Sequence, residues 1–318
     1  MDNASVANTS GTPYNAKHHT FAVIVACCTF LLILAGALVT SNDAGLSVPD
    51  WPTSFGSMYR IPPMTGGVQF EHGHRMVAQF IGLLTIILAV WTQRVDRRPW
   101  MRTLGWAALG TVIAQGMLGG LTVLLQLPPA VSTAHATLGQ TFFCIVVSIA
   151  LFTGRTWVES LPRPISDPAN PRLIVATTVT VVCVWLQLIL GAAFRHSGMR
   201  IIPHLIGAVV VTGVIHWASL GTIKRYRHIP QLRKPALALL MLLGLQLVLG
   251  IFAYITRILM GKDPSGPLLT TVVSTVAHVA NGALVLATAV VLAIQVRRYL
   301  AAPEAVQIKA NSQRPATA

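Results

Sequence analysis

Eight stretches of the chain, at about residues 21–40, 71–93, 103–125, 132–153, 173–194, 204–222, 236–256 and 272–296, are long, apolar and almost free of charge. Each is long enough to cross a hydrocarbon core about 30 Å thick, which takes roughly 20 helical residues because unpaired backbone groups are costly in lipid. The whole sequence agrees, being 53% hydrophobic and 10% charged over 318 residues, with a mean hydropathy of +0.65. That balance is foreign to a water-soluble fold of this size. The expected class is all-α and integral to a membrane, with eight transmembrane helices. The first stretch follows Lys17 but exceeds the roughly 7–15 apolar residues of a secretory signal, so it reads as a retained helix.

A net charge of +14 raises the question of nucleic acid, and its distribution answers it. With the N-terminus inside, Arg94, Arg97, Arg98, Arg102, Arg155, Arg163, Arg172, Lys224, Arg225, Arg227, Arg233, Lys234, Arg297 and Arg298 fall in cytoplasmic segments. Arg60, Arg75, Arg195, Arg200, Arg257 and Lys262 fall outside. The positive-inside rule thus places both termini in the cytoplasm, as in a multi-pass protein of a cell inner membrane, and no nucleic-acid partner is implied. Cys27, Cys28, Cys144 and Cys183 all lie within spans, so no disulfide framework is readable. The tails 1–16 and 303–318 are polar and poor in aromatics, a composition expected of disorder.

A repeat organises the spans. Gln115-Gly-Met-Leu-Gly119, Gln187-Leu-Ile-Leu-Gly191 and Gln246-Leu-Val-Leu-Gly250 share one pattern near the outer end of an odd-numbered span, of which the first span keeps only Gly36. Even-numbered spans begin with His74, His135, His204 and His278, followed by small residues at Gly139, Gly207 and Gly282. The unit is a helix pair used four times. This predicts two pseudo-symmetric four-helix bundles, 21–153 and 173–298, joined by a proline-rich and charged linker at 154–172 and flanked by tails at 1–20 and 299–318. Bundles build cofactor sites from facing helices, and glycine beside the histidines leaves space for a flat macrocycle, although small residues also simply permit close helix packing.

Alternate spans start on the same side, so the four imidazoles stand at one depth near the outer face. Ionisable groups in a bilayer mark sites, and imidazole is a good ligand for haem iron. Zinc or copper is the competing metal, but zinc gathers three or four ligands around one ion, whereas four histidines on four helices suit two sites. His216 lies about 18 Å deeper than His204 at 1.5 Å per residue and reads as structural. His72 and His196 read as solvated or helix-end residues, His72 diverging from His74 by about 200° around the helix.

The halves differ. Glu71 stands one turn outside His74 on the same face, where the other histidines have Ser132, Ile201 and Thr275, and Arg75 follows His74 where Leu205 follows His204. A carboxylate able to take protons and a guanidinium able to grip a propionate make the first half read as a reactor and the second as a holder. The plainer alternative is that both residues cap the helix and snorkel to headgroups. The exterior loop 41–70, with Asp43, Asp50, Trp51 and four prolines, is long enough to close over the first bundle.

These residues resemble the heme A synthase family of eight-helix membrane enzymes, over about residues 21–298. The likeness is carried by Asn42-Asp-Ala-Gly-Leu-Ser-Val-Pro-Asp-Trp-Pro52, by Glu71-His-Gly-His-Arg75 matching the family's Glu-x-x-His-Arg, and by the three later histidines. The resemblance implies oxidation of the C8 methyl of heme O to the formyl group of heme A, with water supplying the oxygen. It implies that His74 and His135 flank the substrate haem, that Glu71 assists the chemistry and that His204 and His278 ligate a cofactor heme b. Heme O as substrate, membrane lipid, a heme O synthase and a terminal oxidase are the implied partners, with a homo-oligomer left open. Many members carry a cysteine pair in the first exterior loop, where this chain has Leu46-Ser47 and Thr53-Ser54, leaving electron delivery and the locking of that loop to be explained. The rival readings are a two-haem b-type cytochrome that only transfers electrons, and a repeat-built transporter, which the polar groups at one face rather than the midplane disfavour.

Overall fold

A computed structural model of the chain describes residues 6–7, 12–162, 164–167, 172–260 and 266–301. All eight expected spans are helices: α1 (Ala16–Ser41), α2 (Gly67–Val95), α3 (Pro99–Leu124), α4 (Pro129–Thr153), α6 (Leu173–Arg195), α7 (Ile202–Tyr226), α8 (Pro230–Tyr254, prolonged by a π-helical turn Ile255–Leu259) and α9 (Leu269–Tyr299). Each is long and apolar enough to cross a bilayer, and the protein is a multi-pass membrane protein. Proline in the first turn opens α3, α4, α7 and α8, where its missing N–H would have no helical partner anyway.

Several boundaries differ from the sequence reading. Residues 16–20, assigned to the tail, form the first turn of α1. Asn15 caps it by accepting from the His18 amide at 3.1 Å, and buried His18 reaches Thr92 Oγ1 at 2.9 Å. The linker is not featureless, because it holds the short helix α5 (Arg155–Glu159) and strands β2 (Ser160–Leu161) and β3 (Ile165–Ser166). These pair with β1 (Val6–Ala7) antiparallel and β4 (Leu300–Ala301) parallel, tying both ends of the chain to the linker. Residues 1–5, 8–11 and 302–318 of the tails, with Arg163 and Lys262 of the charge assignment, lie outside the described residues.

Helices α1 to α4 pack in a closed ring, each on its sequence neighbours and α4 back on α1; α6 to α9 form a second ring in the same way. The rings join along α1–α9, α4–α6 and α4–α9. Central α4 and α9 bury 56% and 61% of their most apolar windows, against 17–28% for the other spans. The outer faces keep Leu31, Phe80, Ile113, Val209 and Met241 exposed, as suits contact with acyl chains. Serine and threonine hydroxyls inside the spans mostly donate to a carbonyl one turn back, as Thr85 does to Ile81 and Thr222 to Ala218 at 2.7 Å, which satisfies the donor within its own helix; the buried Ser132 and Ser219 hydroxyls are exceptions.

Candidate haem site

The helix-pair repeat is visible at the level of atoms. Each of the four histidines lays its ring against a glycine of the preceding span. A Cβ on Gly36 would stand 3.1 Å from His74 Cε1, on Gly119 3.0 Å from His135, on Gly191 2.9 Å from His204 and on Gly250 3.0 Å from His278. The glycines one turn after the histidines have a different neighbour from the one expected. Gly139, Gly207 and Gly282 lie against the side chains of Gln115, Gln187 and Gln246, so that space is filled by glutamine and not kept for a macrocycle.

Those glutamines reach the histidine that follows them. Gln115 Nε2 donates to the His135 carbonyl at 2.9 Å, and Gln187 Nε2 donates to the His204 carbonyl at 2.8 Å while lying 3.1 Å from His204 Nδ1. Gln246 Nε2 lies 3.2 Å from His278 Nδ1, and its own oxygen accepts from Asn281 at 2.7 Å. The Gln-x-x-Leu-Gly pattern puts Gln and Gly one turn apart on a single helix face, but it does not name the histidine on the next helix that both of them meet.

The pairs can be tested against a metal. His204 and His278 face each other with ring centroids 6.4 Å apart and planes at 78°. Two metal–imidazole bonds of about 2 Å each, plus the two ring radii, span nearly this separation. His74 and His135 lie within electrostatic reach of one another, and the buried Nδ1 of each has no hydrogen-bond partner among the described residues. Orphaned ring nitrogens fit a site completed by another group, because a ligating histidine uses one nitrogen for metal and offers the other for a hydrogen bond. Among the described residues, no three His, Cys, Asp or Glu side chains converge as a closed zinc site requires. The residues present fit two bis-histidine or mono-histidine haem sites.

Glu71 and Arg75, read from the sequence as a carboxylate able to take protons and a guanidinium able to grip a propionate, are bonded to each other and to the exterior loop. Glu71 is buried, accepts from the Val48 amide at 2.8 Å and pairs with Arg75. The Arg75 guanidinium also donates to the carbonyls of Asp50 (2.6 Å), Thr53 (3.0 Å) and Val48 (3.1 Å). Together they hold the exterior loop down on the first ring, one turn outside His74. The loop is shaped elsewhere too: the Trp51 indole sits on Gly120 of α3, Leu127 packs over Gly45, and His72 reaches Ser54 at 3.0 Å, which turns His72 toward the loop. Asp50 organises the turn after it, accepting from the Thr53 hydroxyl and from the Phe55 and Gly56 amides at 2.7 and 2.8 Å. Desolvation raises its carboxyl, but these hydrogen bonds prevail and hold it below the usual carboxylate value.

Of the remaining histidines, His216 is exposed and lies 2.8 Å from the Thr212 carbonyl, a local role. His196 ends α6 as expected, but its ring is half-buried and not solvated; burial first, then the charges of Arg195 and its neighbours, push it down to about 4. The cysteines are free, Cys144 alone being buried. Arg195, which the sequence reading used only for topology, joins the two rings: it donates to Ser41 Oγ at 2.7 Å, and Ser41 lies 2.8 Å from Thr275, one turn from His278.

Known proteins with related sequences bear on this geometry. A heme A synthase of Symbiobacterium thermophilum is 34% identical over 176 residues, 53% of this chain and 56% of that protein. One from Lysinibacillus sphaericus is 31% identical over 57% of this chain and 59% of its own length. One from Alkalihalophilus pseudofirmus is 25% identical over 263 residues, 74% of this chain and 87% of its own. The first of these alignments spans little more than half the length of the relative. Residues 19–203 match the profile of the COX15-CtaA family, described as cytochrome oxidase assembly protein, and these include Glu71, His74, Arg75 and His135. Covering more than half of the chain, that match establishes that this protein belongs to the COX15-CtaA family.

Proposed function

We propose that this protein is a heme A synthase, a membrane oxidoreductase that converts the C8 methyl of heme O to a formyl group and so makes heme A for terminal oxidases. The observation that carries the reading is the facing of His204 with His278 and the closeness of His74 to His135, joined to an asymmetric first ring in which Glu71 and Arg75 flank His74 where Ile201 and Leu205 flank His204. Relatives bearing the name heme A synthase support it.

In this reading His74 and His135 hold the substrate and His204 and His278 hold a heme b, whose iron supplies electron transfer when bound. The protein's own part is positional and protic. Gly36, Gly119, Gly191 and Gly250 set the ring planes; Glu71 is the carboxylate within one turn of the substrate pair and takes protons; the loop that Arg75 holds closes the site to water. The first ring is the substrate domain and the second the cofactor domain. Both termini lie in the cytoplasm and the four histidines near the outer face of the inner membrane. A heme O synthase and a heme A-containing oxidase act before and after it.

The test is expression in cells that supply heme O, followed by extraction and identification of the pigments by chromatography and mass. Heme A is expected from the native chain, and bound haem without heme A from Glu71→Ala. A native chain that binds haem yet makes no heme A overturns the enzymatic reading in favour of a simple electron carrier.

A further inference from the structure

Three of the four histidines are backed by a glutamine from the preceding span, and the fourth is not. Four residues before the ring-bearing glycines stand Gln115, Gln187 and Gln246, but Leu32 precedes Gly36. Four residues after His74, where Gly139 and Gly282 make room for a glutamine after His135 and His278, stands Ala78. The first unit has therefore lost both halves of the device, the amide and the gap that receives it. His74 keeps its packing on Gly36, but no glutamine is bonded to it among the described residues. The buried Nδ1 of His135 is as unpartnered as that of His74, so the two differ through Gln115, which donates to the His135 carbonyl at 2.9 Å and lies 3.5 Å from His135 Nε2.

The glutamines do two things. By donating to the His135 and His204 carbonyls, Gln115 and Gln187 fix the first two turns of one helix against the outer part of its neighbour. By lying against ring nitrogens, Gln187 and Gln246 restrict rotation of the imidazoles of His204 and His278. In the fourth unit Asn281 holds the Gln246 amide in turn, donating also to the Leu242 carbonyl at 2.9 Å. Partners of this kind set the orientation of a metal-binding imidazole.

We propose that Gln115, Gln187 and Gln246 are positioning residues for the iron-binding histidines, and that the missing fourth glutamine makes His74 the one releasable ligand. The proposal rests on the haem reading above and adds to it a difference in exchange. A haem held by His204 and His278 would have a glutamine behind each ring and would stay; one held by His135 and His74 would have a glutamine behind His135 only, chiefly through its carbonyl, and would leave by opening at His74. A resident cofactor and a substrate that must turn over need these two behaviours.

The experiment uses the full-length protein, purified in detergent and loaded with ferric haem. Transfer to excess apomyoglobin is followed together with the low-spin absorption and paramagnetic resonance signals. Two phases of release are expected. The graft Leu32→Gln with Ala78→Gly should slow the fast phase on the order of fivefold, what one net hydrogen bond contributes, and leave the slow phase alone. Gln246→Leu should speed the slow phase by a similar factor, and Gln187→Leu provides the same reading if that variant does not fold. An unchanged fast phase in a graft that binds haem normally, or an unchanged slow phase in both leucine variants, overturns the proposal. A native chain that takes up no haem overturns the haem reading beneath it.

Discussion

Arg75 and Glu71, one turn apart on α2, form an ion pair whose side chains are only 14% and 6% exposed, and both partners continue from it into the exterior loop. Glu71 takes the Val48 amide, and Arg75 takes three carbonyls between Val48 and Thr53. The loop is thus locked onto the first ring without a disulfide, by a planar cation able to serve several acceptors at once.

Replacing Arg75 by Lys keeps the charge and loses the fork. The loop 45–57 should then exchange amide hydrogens and be cut by protease at least about tenfold faster, with the helices still protected. Arg75→Ala, which leaves Glu71 buried and unpaired, should cost on the order of 3–5 kcal/mol, read as a lower thermal midpoint in detergent. An equally protected loop in Arg75→Lys would show that the guanidinium is not the latch.

Gly120 lets Trp51 lie on α3. A Cβ there would come within 2.5 Å of the indole, and the ring would have to move. Gly120→Ala should destabilise the closed loop by about 1–3 kcal/mol, the usual cost of overpacking, and shift the Trp51 fluorescence toward that of a wetter indole. Gly110→Ala, on the same helix with open space beside it, should do neither.

Gly191 and Gly250 are the seats of His204 and His278. Alanine at either position would bring a Cβ to 2.9 or 3.0 Å from the imidazole and push the ring off its line. Both variants should lose low-spin haem absorption attributable to the second ring, while Gly244→Ala, with nothing within 4 Å, keeps it. Retention of a native spectrum in both would remove this pair from the ligand set.

Asp50 gives the loop an acid limit. Its carboxyl lies lower in the folded turn than in the unfolded chain, so its contribution is complete above the ordinary carboxylate range and fades as pH falls through the folded value. Loop protection should therefore drop below about pH 4, and Asp50→Asn should flatten that dependence. Amide exchange measured at pH 5 and pH 3 distinguishes the two.

The spans, their order and the four histidines were legible because lipid leaves a helix few alternatives and forces its polar exceptions to stand out. His74, rather than His72, was identified from the repeat, and the structure turns His72 to Ser54. Three things were not legible. The roles of Glu71 and Arg75 depend on where the 25-residue loop 42–66 folds back, which no periodicity encodes. The glutamine contacts cross between helices, and a pattern within one helix does not name its partner on another. Arg195 reads as one more exterior charge until α1 and α9 are packed beside it.

The two most buried spans carry His135 and His278, while His74 and His204 ride on flanking helices with 28% of their apolar windows covered. Each pair thus joins an inner helix sheltered by protein to an outer helix whose surface is left largely to the acyl chains. On the proposed haem reading, a hydrophobic substrate reaches such a flank by sideways diffusion within the leaflet and need not pass through the aqueous phase.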